Sequence, residues 1–153
     1  MVRLFQAFCQ RVLGINRSVP WQVHWTSLVS SASRIQRADT TVKPGEQPFQ
    51  YIQATNGIRF GKNVHLGPGV RLVSANHSLT DFYAHDAEEP IIIDDDCWLG
   101  TDVTVVAGVH LAAHTVVLDG SVVTRSSLGN CVMAGVPAVI IQTLPPYGET
   151  ITE

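Results

Sequence analysis

Apolar residues along this chain recur every sixth position. Ile91, Cys97, Val103 and Val109 are six apart, and Thr115 and Ser121 extend the series; two residues after each stand Ile93, Leu99, Val105, Leu111, Val117 and Val123. Ile52, Ile58, Val64 and Val70 keep the same spacing upstream, and weaker hexads run through Val23, Val29, Ile35 and Thr41. An amphipathic helix repeats at 3.6 residues, so this period is not helical. Each hexad reads as a strand of about three residues followed by a turn. Asn56-Gly57, Gly61-Lys62-Asn63, Gly67-Pro68-Gly69, Gly100, Gly108 and Gly120 supply the corners. Strands this short must stack on neighbouring coils to bury their faces, which makes a solenoid.

Two stretches leave the pattern. Val70 and Ile91 are 21 positions apart, and Ser78 to Pro90 is polar, acidic and ends in proline, so residues 78–90 are expected to leave the solenoid as a loop, a favoured place for function. At the N-terminus Leu4, Phe5, Phe8, Val12 and Leu13 suit one face of a short helix ending at Gly14. That face is expected to cover the open end of the solenoid or a neighbouring subunit. Contact with a membrane surface is the lesser expectation, since Arg3 and Arg11 are its only basic residues. The expected organisation is a helix and lead-in over 1–20, a solenoid over 21–144 and a mobile tail over 145–153.

Composition narrows the function classes. The 153 residues are 45% hydrophobic and 15% charged, with net charge −3 and pI near 6.0, which provides no basic field for nucleic acid. Three separated cysteines, Cys9, Cys97 and Cys131, fit a reducing, cytoplasmic setting better than a disulfide framework. Cys97 occupies a core position of the repeat and reads as a small hydrophobe. No apolar run is long enough for a membrane span or an export signal, and the glycines fall at corners, not at a strand-to-helix nucleotide turn.

From Tyr51 to Ile141 the chain carries, in order, Ala75-Asn76-His77, Cys97-Trp98-Leu99-Gly100, Val106-Ala107-Gly108-Val109, Asp119-Gly120-Ser121-Val122-Val123-Thr124-Arg125 and Ala134-Gly135-Val136-Pro137-Ala138. In these it resembles the hexapeptide-repeat O-acetyltransferases, in the galactoside, maltose and polysaccharide-modifying branch. The resemblance implies an all-β fold, a left-handed parallel β-helix of three hexads per coil. It also implies a homotrimer with active sites between subunits, and acetyl-CoA as donor with no metal.

By the same resemblance His77 is the general base. A sugar hydroxyl attacks a thioester well only as its proton is removed, and imidazole can take that proton and return it to the leaving thiolate, without an acyl-enzyme. Asn76 could bind acceptor hydroxyls or turn the chain. Asp81, Asp86, Glu88 and Glu89 are candidates to orient the histidine, with Asp81 preferred for its proximity. Trp98 corresponds to the tryptophan lining the acyl-pantetheine channel. Gly100, Thr101, Gly120, Ser121 and Thr124 would meet the coenzyme arm mainly through backbone, and Arg125 its phosphates. A backbone N–H near Gly100 or Thr101 is the expected oxyanion donor.

Two positions depart from the pattern. Asp119 replaces a small uncharged residue and would repel phosphate if it faced the coenzyme, while Val139 stands where a basic residue is usual. These departures favour a second reading, a β-helix scaffold without catalysis. A third is a zinc-dependent carbonic anhydrase on the same fold, drawing ligands from His24, His65, His77, His85, His110 and His114. The spacing of His110 and His114 is four where that family has five, which counts against it. The acceptor is expected to be a saccharide or glycan hydroxyl, with an antibiotic or amine as the alternative.

Overall fold

A computed structural model describes residues 2–84 and 89–149. Among the described residues one α-helix, α1 (Val2–Arg11), precedes fourteen short strands. These are β1 (Leu28–Ser30), β2 (Ile35–Arg37), β3 (Tyr51–Gln53), β4 (Ile58–Phe60), β5 (His65–Leu66), β6 (Arg71–Val73) and β7 (Ile91–Ile93). They continue as β8 (Trp98–Leu99), β9 (Thr104–Val105), β10 (His110–Leu111), β11 (Thr115–Val117), β12 (Val122–Val123), β13 (Cys131–Gly135) and β14 (Ala138–Thr143).

The strands form three sheets, visited in turn by each coil. The first runs β1-β3-β6-β9-β12, the second β10-β7-β4-β2, the third β14-β13-β11-β8-β5. All pairings are parallel except β13 with β14. The repeat explains this register. Thr104 lies beside Val122 and Trp98 beside Val116, a coil of 18 residues. Across the extruded segment His65 pairs with Trp98 and Ile58 with Ile91, so that coil takes 33 residues and the strands still meet in step.

The inward positions are those the period marks. Ile52, Ile58, Leu72, Ile91, Ile93, Cys97, Leu99, Val103, Val105, Leu111 and Val123 have no exposed surface. Thr115 and Ser121 keep their places in the series because their hydroxyls are satisfied. Thr115 Oγ1 donates to the Ala112 carbonyl at 2.5 Å, and Ser121 Oγ to the Leu118 carbonyl at 2.7 Å, so neither buries an unpaired polar atom. The earliest hexads slip, for Thr41 is exposed and its neighbour Val42 takes the core position.

Cys97 is a core residue, and burial pushes its thiol up to about 11. A neutral thiol is a poor nucleophile, so we expect Cys97 to resist iodoacetamide in the folded protein at neutral pH and to react once denaturant opens the coils. Mass spectrometry of the alkylated peptides checks this, and rapid labelling of Cys97 under native conditions would contradict it.

Within one chain the apolar face of α1 does not cover the open end of the solenoid. Leu4, Phe5, Phe8, Val12 and Leu13 face outward, Leu4 with 79% of its surface exposed, whereas Gln6 and Cys9 are buried. Amides bring this about. Gln10 Nε2 donates to the carbonyls of Val19 and Trp21 at 2.9 and 2.8 Å, its Oε1 accepts the Val23 N–H, and Gln6 Oε1 accepts from Gln22. The irregular lead-in leaves backbone groups that need partners, and two glutamines four residues apart on α1 supply them.

The tail, expected to be mobile, is held as far as it is described. Tyr147 Oη accepts from Asn63 Nδ2 at 2.9 Å, and its ring stands edge-on to His114, centroids 5.0 Å apart. Residues 150–153 lie outside the described residues.

Candidate functional site

The loop leaves where β6 ends and returns at β7, at the corner between the first and second sheets. Ser74 and Ala75 are buried, and Asn76 and His77 emerge as exposed residues immediately after them. Ser74 Oγ accepts the Asn56 N–H at 3.0 Å, which ties the departing chain to the coil below. Beyond His77 the Ser78 N–H donates to the Ala84 carbonyl at 2.9 Å, closing a compact base to the loop. His77 thus stands on a fixed corner with its imidazole outside the core.

Asp81 is engaged within its own loop, where its Oδ1 accepts the Tyr83 N–H at 3.0 Å in a local turn. Of the other acidic candidates, Asp86 and Glu88 lie outside the described residues, as does His85, and Glu89 is exposed where the loop returns. The loop is polar and acidic in composition, yet it carries Leu79, Phe82 and Tyr83 almost bare, Tyr83 with 99% of its surface exposed.

Trp98 lies on another face. It projects outward from β8 in the third sheet, between His65 and Val116, with 59% of its surface exposed. Beside it opens a groove of about 570 Å³ whose other walls come from Thr41, Val42, Lys43, Glu46, Gln47 and Gln50 and from Val64 to Pro68. Neither His77 nor Asn76 lines it. One chain therefore does not bring His77 and Trp98 together. The contribution of Lys43, Glu46 and Gln47 to the groove was missed in the sequence, because their segment departs from the repeat.

The expected coenzyme residues divide into two groups. Thr101, Gly120, Thr124 and Arg125 are exposed. Gly100 and Ser121 are committed to the solenoid. A Cβ on Gly100 would come within 2.2 Å of Asp119 Oδ1, so coil stacking already demands the glycine. Ser121 is buried, its Oγ donating to Leu118 and accepting from Gly135. The expected oxyanion donors are also engaged. The Gly100 N–H donates to the Val117 carbonyl at 2.9 Å, and the Thr101 N–H to Asp119 Oδ1 at 2.6 Å.

That last bond accounts for Asp119. It caps the corner of the preceding coil, as Asp95 Oδ1 caps the Lys62 N–H at 2.7 Å. A carboxylate holding a backbone donor is a local structural device. Val139 is exposed on β14, and no Lys or Arg follows Arg125.

Among the described residues, no three His, Cys, Asp or Glu side chains are grouped to hold a metal ion. His110 Nε2 lies 2.7 Å from Asp94 Oδ2, His114 Nδ1 3.0 Å from Asn130 Oδ1, and His24 Nδ1 2.7 Å from Thr26 Oγ1. Each of these three histidines thus meets a different partner. Among the described residues no helix is long and apolar enough to cross a membrane.

A solved hexapeptide-repeat acetyltransferase from Vibrio cholerae, complexed with acetyl-CoA, superposes with a TM-score of 0.60 at 26% identity, covering 78% of this chain and 68% of that one. The chain resembles the hexapeptide-repeat acetyltransferases. A galactoside acetyltransferase in complex with coenzyme A shares the fold, with a TM-score of 0.58 at 22% identity over 72% of this chain and 64% of that one. A provisionally named acetyltransferase of Schizosaccharomyces pombe is 38% identical over 91 residues, 57% of this chain and 44% of that protein. The chain spans about half the length of the curated relatives it matches. No family model matches it.

Proposed function

We propose that this protein transfers an acyl group, acetyl by default, from acyl-CoA to a hydroxyl of a saccharide or glycan precursor, with His77 as general base. The observation that carries the reading is the placing of an exposed histidine at the corner where a loop leaves a rigid solenoid like that of acetyltransferases. His77 takes the proton as the hydroxyl oxygen bonds to the thioester carbonyl carbon. Collapse of the tetrahedral intermediate breaks the carbon–sulfur bond, and the imidazolium returns the proton to the thiolate, giving an ester and free coenzyme A.

The reading includes a left-handed coil and a homotrimer. The separation of His77 from Trp98 supports sites between chains, the tryptophan of one beside the histidine of the next. The bare Leu79, Phe82 and Tyr83 on the loop support the same arrangement, as apolar side chains with a neighbour to meet. Thr101, Gly120, Thr124 and Arg125 remain the surface for the coenzyme arm, with Arg125 the cation for its phosphates. Asn76, exposed beside His77, is placed in the reading as an acceptor contact.

The test is thiol release from acetyl-CoA against a panel of saccharides. All three cysteines are buried, so the folded protein should add little background to a thiol reagent. Acceptor-dependent release with an O-acetylated product is the expected result. No release with any saccharide would favour the scaffold reading. Light scattering should return about three times the 16.6 kDa of one chain, and a monomer at all concentrations would refute the shared site.

A further inference from the structure

We infer that Gln53 is the positioning residue for His77, an inference that rests on the reading of His77 as the base. Gln53 ends β3, and its backbone carbonyl accepts the Ser74 N–H at 3.0 Å, the last ladder bond as β6 gives way to the loop. Its side chain then continues where the ladder stops. Gln53 Oε1 accepts the Ala75 N–H at 3.0 Å, and Nε2 donates to the Ala75 carbonyl at 3.3 Å. One amide thus captures both polar backbone groups of the residue two before His77. In register with Gln53 on the neighbouring strands are Ser30 and Val73. Neither could do this: a hydroxymethyl is too short and a valine has no polar atom.

Ala75 is nearly solvent-free and Ser74 fully buried, so the backbone is immobilised up to the point where Asn76 and His77 emerge. Two residues of chain reach only about 7 Å, so slack at Ala75 passes directly to the imidazole. A general base must lie within about 2.6–3.2 Å of the oxygen whose proton it removes, and a misplacement of about 1 Å can cost 100-fold. Gln53 touches no reacting atom in this scheme; it acts through Ala75.

The experiment uses the full chain, acetyl-CoA and the saccharide turned over fastest by the wild type. The variants are Gln53→Leu, Gln53→Glu, His77→Ala and the double Gln53→Leu/His77→Ala. Gln53→Leu should lower kcat by about 10- to 100-fold with KM for acetyl-CoA nearly unchanged. Gln53→Glu, which keeps the acceptor for the Ala75 N–H and loses the donor, should fall between. With His77→Ala already in place, Gln53→Leu should cost nothing further, because a positioning residue has nothing left to position. Exchange of the Ala75 amide should quicken in Gln53→Leu while core amides stay protected.

A wild-type kcat in Gln53→Leu beside an inactive His77→Ala overturns the positioning role and leaves the base standing. The same fold-loss from Gln53→Leu with and without His77 marks a general structural defect and also overturns it. Full activity in His77→Ala refutes the base itself, and the role of Gln53 with it.

Discussion

Replacing His77 with alanine is expected to lower acceptor-dependent acyl transfer by about 10²- to 10⁴-fold, the range a positioned general base contributes. The loss should appear in kcat, since the proposed coenzyme surface of Thr101, Gly120, Thr124 and Arg125 belongs to other coils. His77 is exposed at the loop base and fills no core space, so the melting temperature should hardly move. His77→Gln is a stricter comparison, as it keeps a polar side chain and removes the imidazole. Progress curves for wild type and both variants at saturating acetyl-CoA measure the effect. A variant within about threefold of wild type would be incompatible with a base contributing in that range.

The second large effect is on stability, and it separates two adjacent residues. Leu99 has no exposed surface and stacks in register between Leu66 and Val117 in the third sheet. Leu99→Ala should cost about 2–5 kcal/mol, the transfer term plus the cavity, because stacked coils on both sides restrict collapse. Trp98, one residue earlier, faces outward. Trp98→Ala should leave the denaturation midpoint almost unchanged and instead raise KM for acetyl-CoA. Urea melts and initial rates on the two proteins decide between these outcomes. Equal destabilisation by both would mean that Trp98 is packed in the assembly as a structural residue, not as a channel wall.

These two residues also show what kind of information the sequence carries. The alternation that buries Leu99 and exposes Trp98 can be read from the six-residue period, because strand side chains alternate and burial repeats with each coil. The period likewise places Cys97 in the core and marks the break after Val70 as a loop. His77 is legible as a candidate since it sits at that break in a stretch resembling a known motif. The chemistry of its surroundings is less so. Asp81 is a candidate by proximity in the chain, and nothing in that spacing tells that its Oδ1 accepts the Tyr83 N–H two residues on.

Polar partnerships across coils were beyond reach. Thr101 and Asp119 are 18 residues apart and Lys62 and Asp95 are 33 apart, yet each pair shares a corner bond. Nothing in local spacing says that Asp119 serves a backbone donor. The same is true of Ser121 and Gly100, whose small size suggests room for a ligand and in fact reflects the crowding of stacked corners. At the N-terminus the apolar stripe of α1 is not the face turned inward within one chain, because Gln6 and Gln10 serve the backbone groups of the lead-in.

The solenoid, its inward-facing residues and the point where the loop departs are all legible in the six-residue period, because each follows from a repeated choice between apolar and polar side chains. The tertiary structure alone decided which polar groups pair across coils and which face of α1 turns inward. It also decided that His77 and Trp98 stand on different faces of one chain. Burial is dictated residue by residue and so leaves a periodic trace; the partner of a polar group is whichever backbone the stacking brings opposite it, and that depends on the length of every coil between.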